Sequence, residues 1–386
     1  LANSYLSKAQ LGETEPKFPL DLYVCEDCFA AHIEAVATGE AIFSDYAYFS
    51  SYSTTWLEHA AQYVAMITER LGLNQDHQVL EIASNDGYLL QYFKERGIPC
   101  FGVEPAANVA EAAREKGIET HVAFWGAQTA HALAAERRRA DLILGNNVLA
   151  HTPDPNDLVA GIKDFLKPGG TVTMEFPHLE RLVAENQFDT IYHEHFSYFS
   201  FSAVETLFER HGLTLFDVEE LPTHGGSLRI YAKHANDPRG LTERARALKA
   251  HEEAIGMHTM AYYEGFAQKV EAVKTGLLAF FDKAAAAGKT VAGYGAPAKG
   301  NTLLNYCGVT PAQLRYTLDR SPHKQGKFLP GTHVPIFGPE RVLEDKPDYL
   351  LILPWNLREE IMEQMAHIRE WGAKFVVPIP AVTVFD

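Results

Sequence analysis

The chain has 386 residues, 46% of them hydrophobic, which is enough for a large buried core and, at roughly 150 residues apiece, for two or three domains. A formal net charge of −16 argues against a nucleic-acid or anionic-membrane binder, because both partners demand a surplus of Lys and Arg. No apolar run approaches the ~20 residues of a membrane-spanning helix, no signal peptide opens the chain, and four scattered cysteines make no disulfide framework, so a cytoplasmic location is expected.

The chain opens on Leu1 rather than Met, so a natural start upstream is expected. Residues 1 to about 58 hold no long periodic helix; Pro16, Pro19, Cys25-Glu-Asp-Cys28 and the aromatic, Ser-rich stretch Tyr46-Ala-Tyr48-Phe-Ser-Ser51-Tyr52 read as a small loop-rich domain. Apolar residues at helical spacing (Trp56, Ala60, Val64, Ile67, Leu71) predict a helix over 55–73. Strands are then expected at 78–82, 99–103, 141–144 and 171–175, helices at 87–95, 106–116 and 157–166, and a tight turn at Lys167-Pro-Gly-Gly170. This alternation is that of βαβ units, hence a doubly wound α/β fold, in a domain spanning 59–238. Residues 239–386 read as one or two long helices over 241–287, followed by a second α/β region. Its strands are expected at 290–294, 315–318 and 349–353, its helices at 300–306 and 358–371.

In such a sheet ligands bind beyond the carboxyl ends of the strands, where strand order reverses. The stretch Val79-Leu-Glu81-Ile-Ala83-Ser-Asn85-Asp86-Gly87 is such a strand end, loop and helix start. A dinucleotide would want Gly-x-Gly-x-x-Gly for its pyrophosphate. One Gly and several polar side chains suit S-adenosylmethionine better, since its amino-acid end and sulfonium favour carboxylates and amides at Glu81, Asn85 and Asp86. Glu104, followed by Pro105, closes the second strand and is placed to accept hydrogen bonds from both ribose hydroxyls. Gly145-Asn146-Asn147-Val-Leu-Ala-His151 ends the fourth strand with groups small or polar enough to lie under the ligand. In this order and spacing the elements resemble the class I methyltransferase fold; the alternative is an α/β domain whose loop is empty.

Farther on, Tyr192-His193-Glu194-His195 concentrates groups able to move protons. A zinc peptidase would need His-Glu-x-x-His, so that reading fails. His195 is the candidate general base, with an imidazole suited to neutral pH, against the blander alternative of histidines merely tied to Glu194. His224-Gly-Gly-Ser-Leu-Arg229 could shape a substrate pocket or be a plain hairpin with a surface Arg. Tyr294, Lys299 and Asn301, on the strand-to-helix turn 293–301, form a candidate anion site at a helix N-terminus, and Arg320 to Lys327 is either a basic substrate loop or a solvated one.

Together, Cys25-x-x-Cys28, the Tyr46–Tyr52 stretch, Glu81–Gly87, Asn146–His151, Tyr192–His195, His224–Arg229 and Gly293–Gly300 resemble the sugar C-methyltransferase family over almost the whole chain. The resemblance implies a zinc-binding N-terminal domain, a central S-adenosylmethionine domain and a C-terminal Rossmann-like domain, with a nucleotide-diphosphate keto sugar as acceptor. It implies methylation of a carbon next to the ketone, C-3 of a 4-keto sugar, with His195 as the base, Tyr192, Glu194 and His151 as its companions, and Tyr46 and Tyr48 reaching the site. The enolate formed would be stabilised by aimed hydrogen bonds and would attack the sulfonium methyl in line. Two departures stand out. The family's second Cys-x-x-Cys is not in this chain, so Cys25 and Cys28 are half of a four-ligand zinc set. The usual loop Gly is Ala83, which narrows the room for close backbone approach. The remaining alternatives are an NAD-dependent nucleotide-sugar oxidoreductase and a catalytically silent nucleotide-sugar binder; a monomer or small homo-oligomer is expected.

Overall fold

The computed structural model describes residues 1–36, 38–39 and 49–386; the expectations on Tyr46 and Tyr48 lie outside the described residues. The chain divides into two compact units, one of Tyr23–Leu179 and Phe196–Thr259, the other of Leu1–Leu22, Glu180–His195 and Met260–Asp386.

The larger unit begins with strands β1 (Leu22–Val24) and β2 (Ala31–Ile33), which flank the Cys25–Cys28 turn. Helix α1 (Thr54–Leu71) follows, its N-terminus capped by Ser53 and its end turned by Gly72 at φ 62. It buries Ala60, Tyr63, Val64 and Ile67, the stripe the spacing predicts, and each such Val or Ile contributes about 1.5–3 kcal/mol when fully covered. Next come β3 (Val79–Ile82), α2 (Leu90–Glu95), β4 (Cys100–Glu104), α3 (Ala107–Glu115), β5 (Thr120–Val122), α4 (Ala127–Glu136), β6 (Ala140–Asn146), α5 (Pro155–Phe165) and β7 (Leu166–Pro177). Helix α6 (Leu179–Ala184) leads out of the unit, and β8 (Ser197–Tyr198), α7 (Phe201–Arg210), β9 (Leu213–Leu221), β10 (Ser227–His234) and α8 (Glu243–Ala254) complete it.

Seven strands form a sheet in the order β5-β4-β3-β6-β7-β10-β9. The first five are parallel, and β10 runs antiparallel to both β7 and β9. This is the doubly wound α/β sheet expected, with an antiparallel edge pair added. Strand order reverses at β3 and β6, so the Ala83–Gly87 loop and the Asn146–His151 stretch leave the same end of adjacent strands. Two boundaries need correction. Helix α2 starts at Leu90 rather than Gly87, because residues 83–87 are spent on a turn with positive φ at Ala83, Asn85 and Gly87. The Lys167–Gly170 turn is absorbed into β7, whose register with β6 shifts there.

The smaller unit contains α9 (Ala261–Glu264), α10 (Phe266–Ala286), β11 (Val291–Tyr294), α11 (Ala298–Cys307), β12 (Thr317–Leu318), β13 (Ile336–Phe337), α12 (Arg341–Asp345), β14 (Tyr349–Ile352), α13 (Arg358–Gln364), β15 (Lys374–Val377) and β16 (Thr383–Phe385). The one or two helices expected over 241–287 are three, α8, α9 and α10; Gly256, at φ 84, lies in the break after α8. The sheet order is β13-β12-β11-β14-β15-β16, parallel except for β16. Its order reverses at β11 and β14, which brings the Gly295–Pro297 and Leu353–Asn356 loops together.

Candidate active site

In the larger unit the loop after β3 is fixed by its neighbours. Ala83 N–H donates to Val103 O at 2.8 Å, and Asn85 N–H donates to Glu104 Oε2 at 2.9 Å. Glu104 Oε1 accepts from Ala106 N–H at 2.9 Å, so each of its oxygens keeps capacity for one more donor. Burial pushes the Glu104 carboxyl up, partly offset by those two amides. Gly102 allows the approach: a Cβ there would lie 2.0 Å from Ser84 Oγ. Gly87 combines φ +75 with the packing of Ile118 and Ala113, which a Cβ would meet at 3.1 and 3.3 Å.

Several buried polar atoms lack a full hydrogen bond inside the protein: both Glu81 oxygens, Ser84 Oγ, Asp86 Oδ1 and Asn147 Oδ1. Buried polar groups are normally paired, so this concentration at one strand-order reversal fits a polar ligand. Burial raises Glu81 well above the ordinary carboxylate range; Tyr88 pulls it back, while Glu104 and Asp86 push it farther up. Asn146 Nδ2 donates to the Tyr88 hydroxyl at 3.3 Å, and Asn147, at φ 54, donates its N–H to Glu175 O at 2.7 Å. Ser51 N–H reaches Asp86 Oδ2 at 3.3 Å, and Ser50 N–H reaches Asn85 Oδ1 at 3.0 Å. Pro105 joins β4 to α3.

His151 ends a short 3-10 turn after β6, and burial, then His224, drives its pKa down to about 4, so the ring is neutral at pH 7. His224 sits in the left-handed region at φ 55, its ring edge against Trp56 at 5.2 Å. Arg229 is 5% exposed and committed to protein groups: Glu175 at 2.8 Å, Glu219 at 3.0 Å and the face of Tyr63 at 4.6 Å. It is neither a surface Arg nor a residue reaching outward.

Cys25 and Cys28 occupy a turn in which Phe29 N–H bonds Cys25 O and Cys25 N–H bonds Ala30 O, both at 2.9 Å. Such a knuckle suits two thiolate ligands, but among the described residues no group of three or more metal-ligating side chains assembles.

The smaller unit holds the histidine group. Tyr192 and His195 face each other across a turn, with ring centroids 4.0 Å apart and His195 N–H donating to Tyr192 O at 2.9 Å. His195 Nδ1 lies 2.8 Å from Thr190 O, which can only accept, so Nδ1 carries the proton and Nε2 the lone pair in the neutral ring. Glu194 is 6% exposed and accepts from Asn3 Nδ2 at 2.5 Å; burial raises its pKa against the pull of Asn3 and Lys324. His193 Nε2 bonds Pro19 O at 2.8 Å, a structural use.

Lys299 is less available than its place at the start of α11 implies. Its ammonium donates to Asn356 Oδ1 at 2.6 Å and lies 4.6 Å above the Trp355 ring. Burial lowers its pKa, opposed by Asp189, and Trp355 Nε1 donates to Asp189 Oδ2 at 2.8 Å. Tyr294 bonds Gln364 at 3.2 Å and Asn301 bonds Ala2 O at 2.6 Å. Arg320 and Lys327 are exposed.

Sequence reasoning missed Asn3, Asp189, Trp355, Gly102 and Lys116. Asn3 meets Glu194 across 191 positions, and Trp355 meets Asp189 across 166, separations no local pattern encodes. Only Gly102 left a signal, as a glycine inside a strand.

A C-methyltransferase C-terminal domain matches residues 222–380, a methyltransferase domain residues 56–218, and a domain described as "Putative zinc binding domain" residues 1–43. The C-methyltransferase NovU of Streptomyces niveus is 37% identical over all of this chain and 92% of its own length. The chain belongs to the C-methyltransferase family. It is thus an S-adenosylmethionine-dependent C-methyltransferase with the class I α/β fold, which sets aside the oxidoreductase alternative. More distant is the ubiquinone biosynthesis O-methyltransferase of Bordetella avium, 31% identical over 28% of this chain and 45% of that protein. Among solved structures, the PH0226 protein of Pyrococcus horikoshii matches at 17% identity and a TM-score of 0.41, over 48% of this chain and 94% of that one. Among the described residues no helix is long and apolar enough to cross a membrane.

Proposed function

We propose that this C-methyltransferase acts on a nucleotide-diphosphate keto-deoxysugar and methylates the carbon next to the ketone, C-3 of a 4-keto sugar. The observation that carries the reading is the tautomer of His195: with Nδ1–H spent on Thr190 O, the lone pair of Nε2 is the one a carbon acid needs. In the proposed reaction Nε2 takes the proton, and the C–H electron pair moves into the enolate, whose oxygen is met by hydrogen bonds from neighbouring donors. Tyr192 lies tilted against the ring and keeps it in place, with Glu194 beside it in the same acid–base set. When bound, the methyl donor would supply an electrophilic methyl on its sulfonium to the enolate carbon and would depart as the neutral thioether. Glu81, Ala83, Asn85, Asp86, Gly87, Glu104, Pro105, Asn146, Asn147 and Ser51 are the residues proposed to hold that donor, supported by the orphaned polar atoms among them.

For the nucleotide, the exposed Arg320 and Lys327 suit a diphosphate, while the internal bonds of Lys299 give it a supporting place beside Tyr294 and Asn301. A panel of deoxythymidine- and guanosine-linked keto sugars, followed by mass spectrometry, tests the acceptor. His195→Ala is expected to abolish both methylation and wash-out of deuterium from the carbon next to the ketone. Normal wash-out in that variant removes His195 from the role.

A further inference from the structure

The ammonium of Lys116 is spent entirely on the cofactor loop and on the turn beside it. It donates to Ser51 Oγ at 2.7 Å, to Asp86 O at 2.9 Å and to Asp86 Oδ2 at 3.2 Å. Three donors meet three acceptors, which is all an ammonium can satisfy. Lys116 follows the last turn of α3, and two features bring it over the loop. Gly87 has no Cβ to keep Ala113 and Ile118 away, and Lys94 Nζ donates to Lys116 O at 2.9 Å, over a Gly117 whose Cβ would stand 2.4 Å from that nitrogen.

The consequence for Asp86 is asymmetric. Its Oδ2 accepts from both Ser51 N–H and Lys116, while Oδ1 has no partner and the residue is only 2% exposed. Asn85 is held in parallel through Ser50 N–H. Three nearly buried carboxylates, Glu81, Asp86 and Glu104, occupy this end of the sheet, and the nearest cation bonded to any of them is Lys116.

We propose that Lys116 is a positioning residue for the methyl donor: it ties the Ser50–Tyr52 turn to the loop and turns the open oxygen of Asp86 toward the α-ammonium of the donor's amino-acid end. This rests on the reading that Asn85 and Asp86 face that end of the ligand. Lys116 does not touch the methyl donor itself; it acts through Asp86 and Ser51. Because a charge-assisted bond to a buried carboxylate is among the strong ones, its loss should be felt about tenfold in affinity.

The test uses the full chain and two ligands, S-adenosylhomocysteine, which has the amino-acid end, and 5′-methylthioadenosine, which lacks it. Titration calorimetry of Lys116→Met is expected to show S-adenosylhomocysteine weakened about tenfold or more and 5′-methylthioadenosine changed less than twofold, with Lys116→Arg recovering most of the loss. Hydrogen exchange without ligand is expected to speed up at Ser50 and Ser51 in Lys116→Met. Equal weakening of both ligands means general disruption and overturns the proposal, as does unchanged binding of both or unchanged exchange at the turn. If the unaltered protein binds 5′-methylthioadenosine as tightly as S-adenosylhomocysteine, the placement of the amino-acid end against Asp86 fails, and the proposal with it.

Discussion

Replacing Ala83 by Gly should make the larger unit slightly more stable. Ala83 has φ 55, in the left-handed region, where a Cβ costs roughly 1–2 kcal/mol against the following carbonyl. Glycine removes that cost but loses about 0.4–1 kcal/mol more entropy on folding. The half-buried methyl, packed against the edge of the core, gives up about 0.4 kcal/mol, half the value of a fully buried carbon. The balance is about 0.5 kcal/mol in favour of Gly, or about 1–2 °C in the unfolding temperature of a domain of ~150–250 residues. Ala83→Val should move the other way by about 1 kcal/mol or more, because a β-branched side chain tolerates positive φ worst. Calorimetry of both variants without ligand checks the pair. If Gly lowers the transition by more than about 1 °C and Val leaves it unchanged, the loop is not strained at this position. The close backbone approach that Ala83 was expected to narrow would then have to be sought elsewhere along the loop.

Gly102→Ala should cost about 1–3 kcal/mol of stability by forcing Ser84 aside, and Ser84→Gly should restore more than half of it, read from urea midpoints; an additive pair refutes the contact. Burial raises Asp189 to about 6, against the opposing pull of Lys299 and Trp355. The folded form therefore holds its proton to higher pH than the unfolded chain, and the associated stability, full below about pH 4, is lost as pH rises through about 6. Asp189→Asn keeps an acceptor for Trp355 and should flatten that loss in denaturant titrations across this window. Asp217 is the opposite case: burial pushes it up, but Arg244, Thr242 and Arg70 outweigh burial and hold it at about 2. Its stabilisation is present above about pH 4 and lost as pH falls toward 2, so Asp217→Asn should lose the acid limb of the stability profile.

What the sequence revealed was set by range. The α1 stripe, the strands of the doubly wound sheet and the loop from Val79 to Gly87 rest on spacings of a few residues, and hydrophobic periodicity records those. The β9–β10 pair is the hairpin that His224–Arg229 offered as one of two readings, turned by Gly225 and Gly226 at positive φ, but its Arg229 is buried rather than on the surface. Charge was the least legible feature. Lys299 and Arg229 look alike in sequence to Arg320 and Lys327, yet the first two are bound to internal acceptors and the last two are exposed. Only the fold decides which cations can serve a ligand.

The unit that carries Tyr192, Glu194 and His195 is stitched from three separate stretches of chain, Leu1–Leu22, Glu180–His195 and Met260–Asp386. On a ribosome adding about 5–20 residues each second, the histidine segment waits roughly 10–40 s for the last of the strands beside which it belongs. The larger unit can close its parallel strands during that interval. Cutting the gene at a boundary in the linear sequence would thus sever one stretch from the other two, and a fragment ending near residue 238 would display the proposed base without the body that holds it.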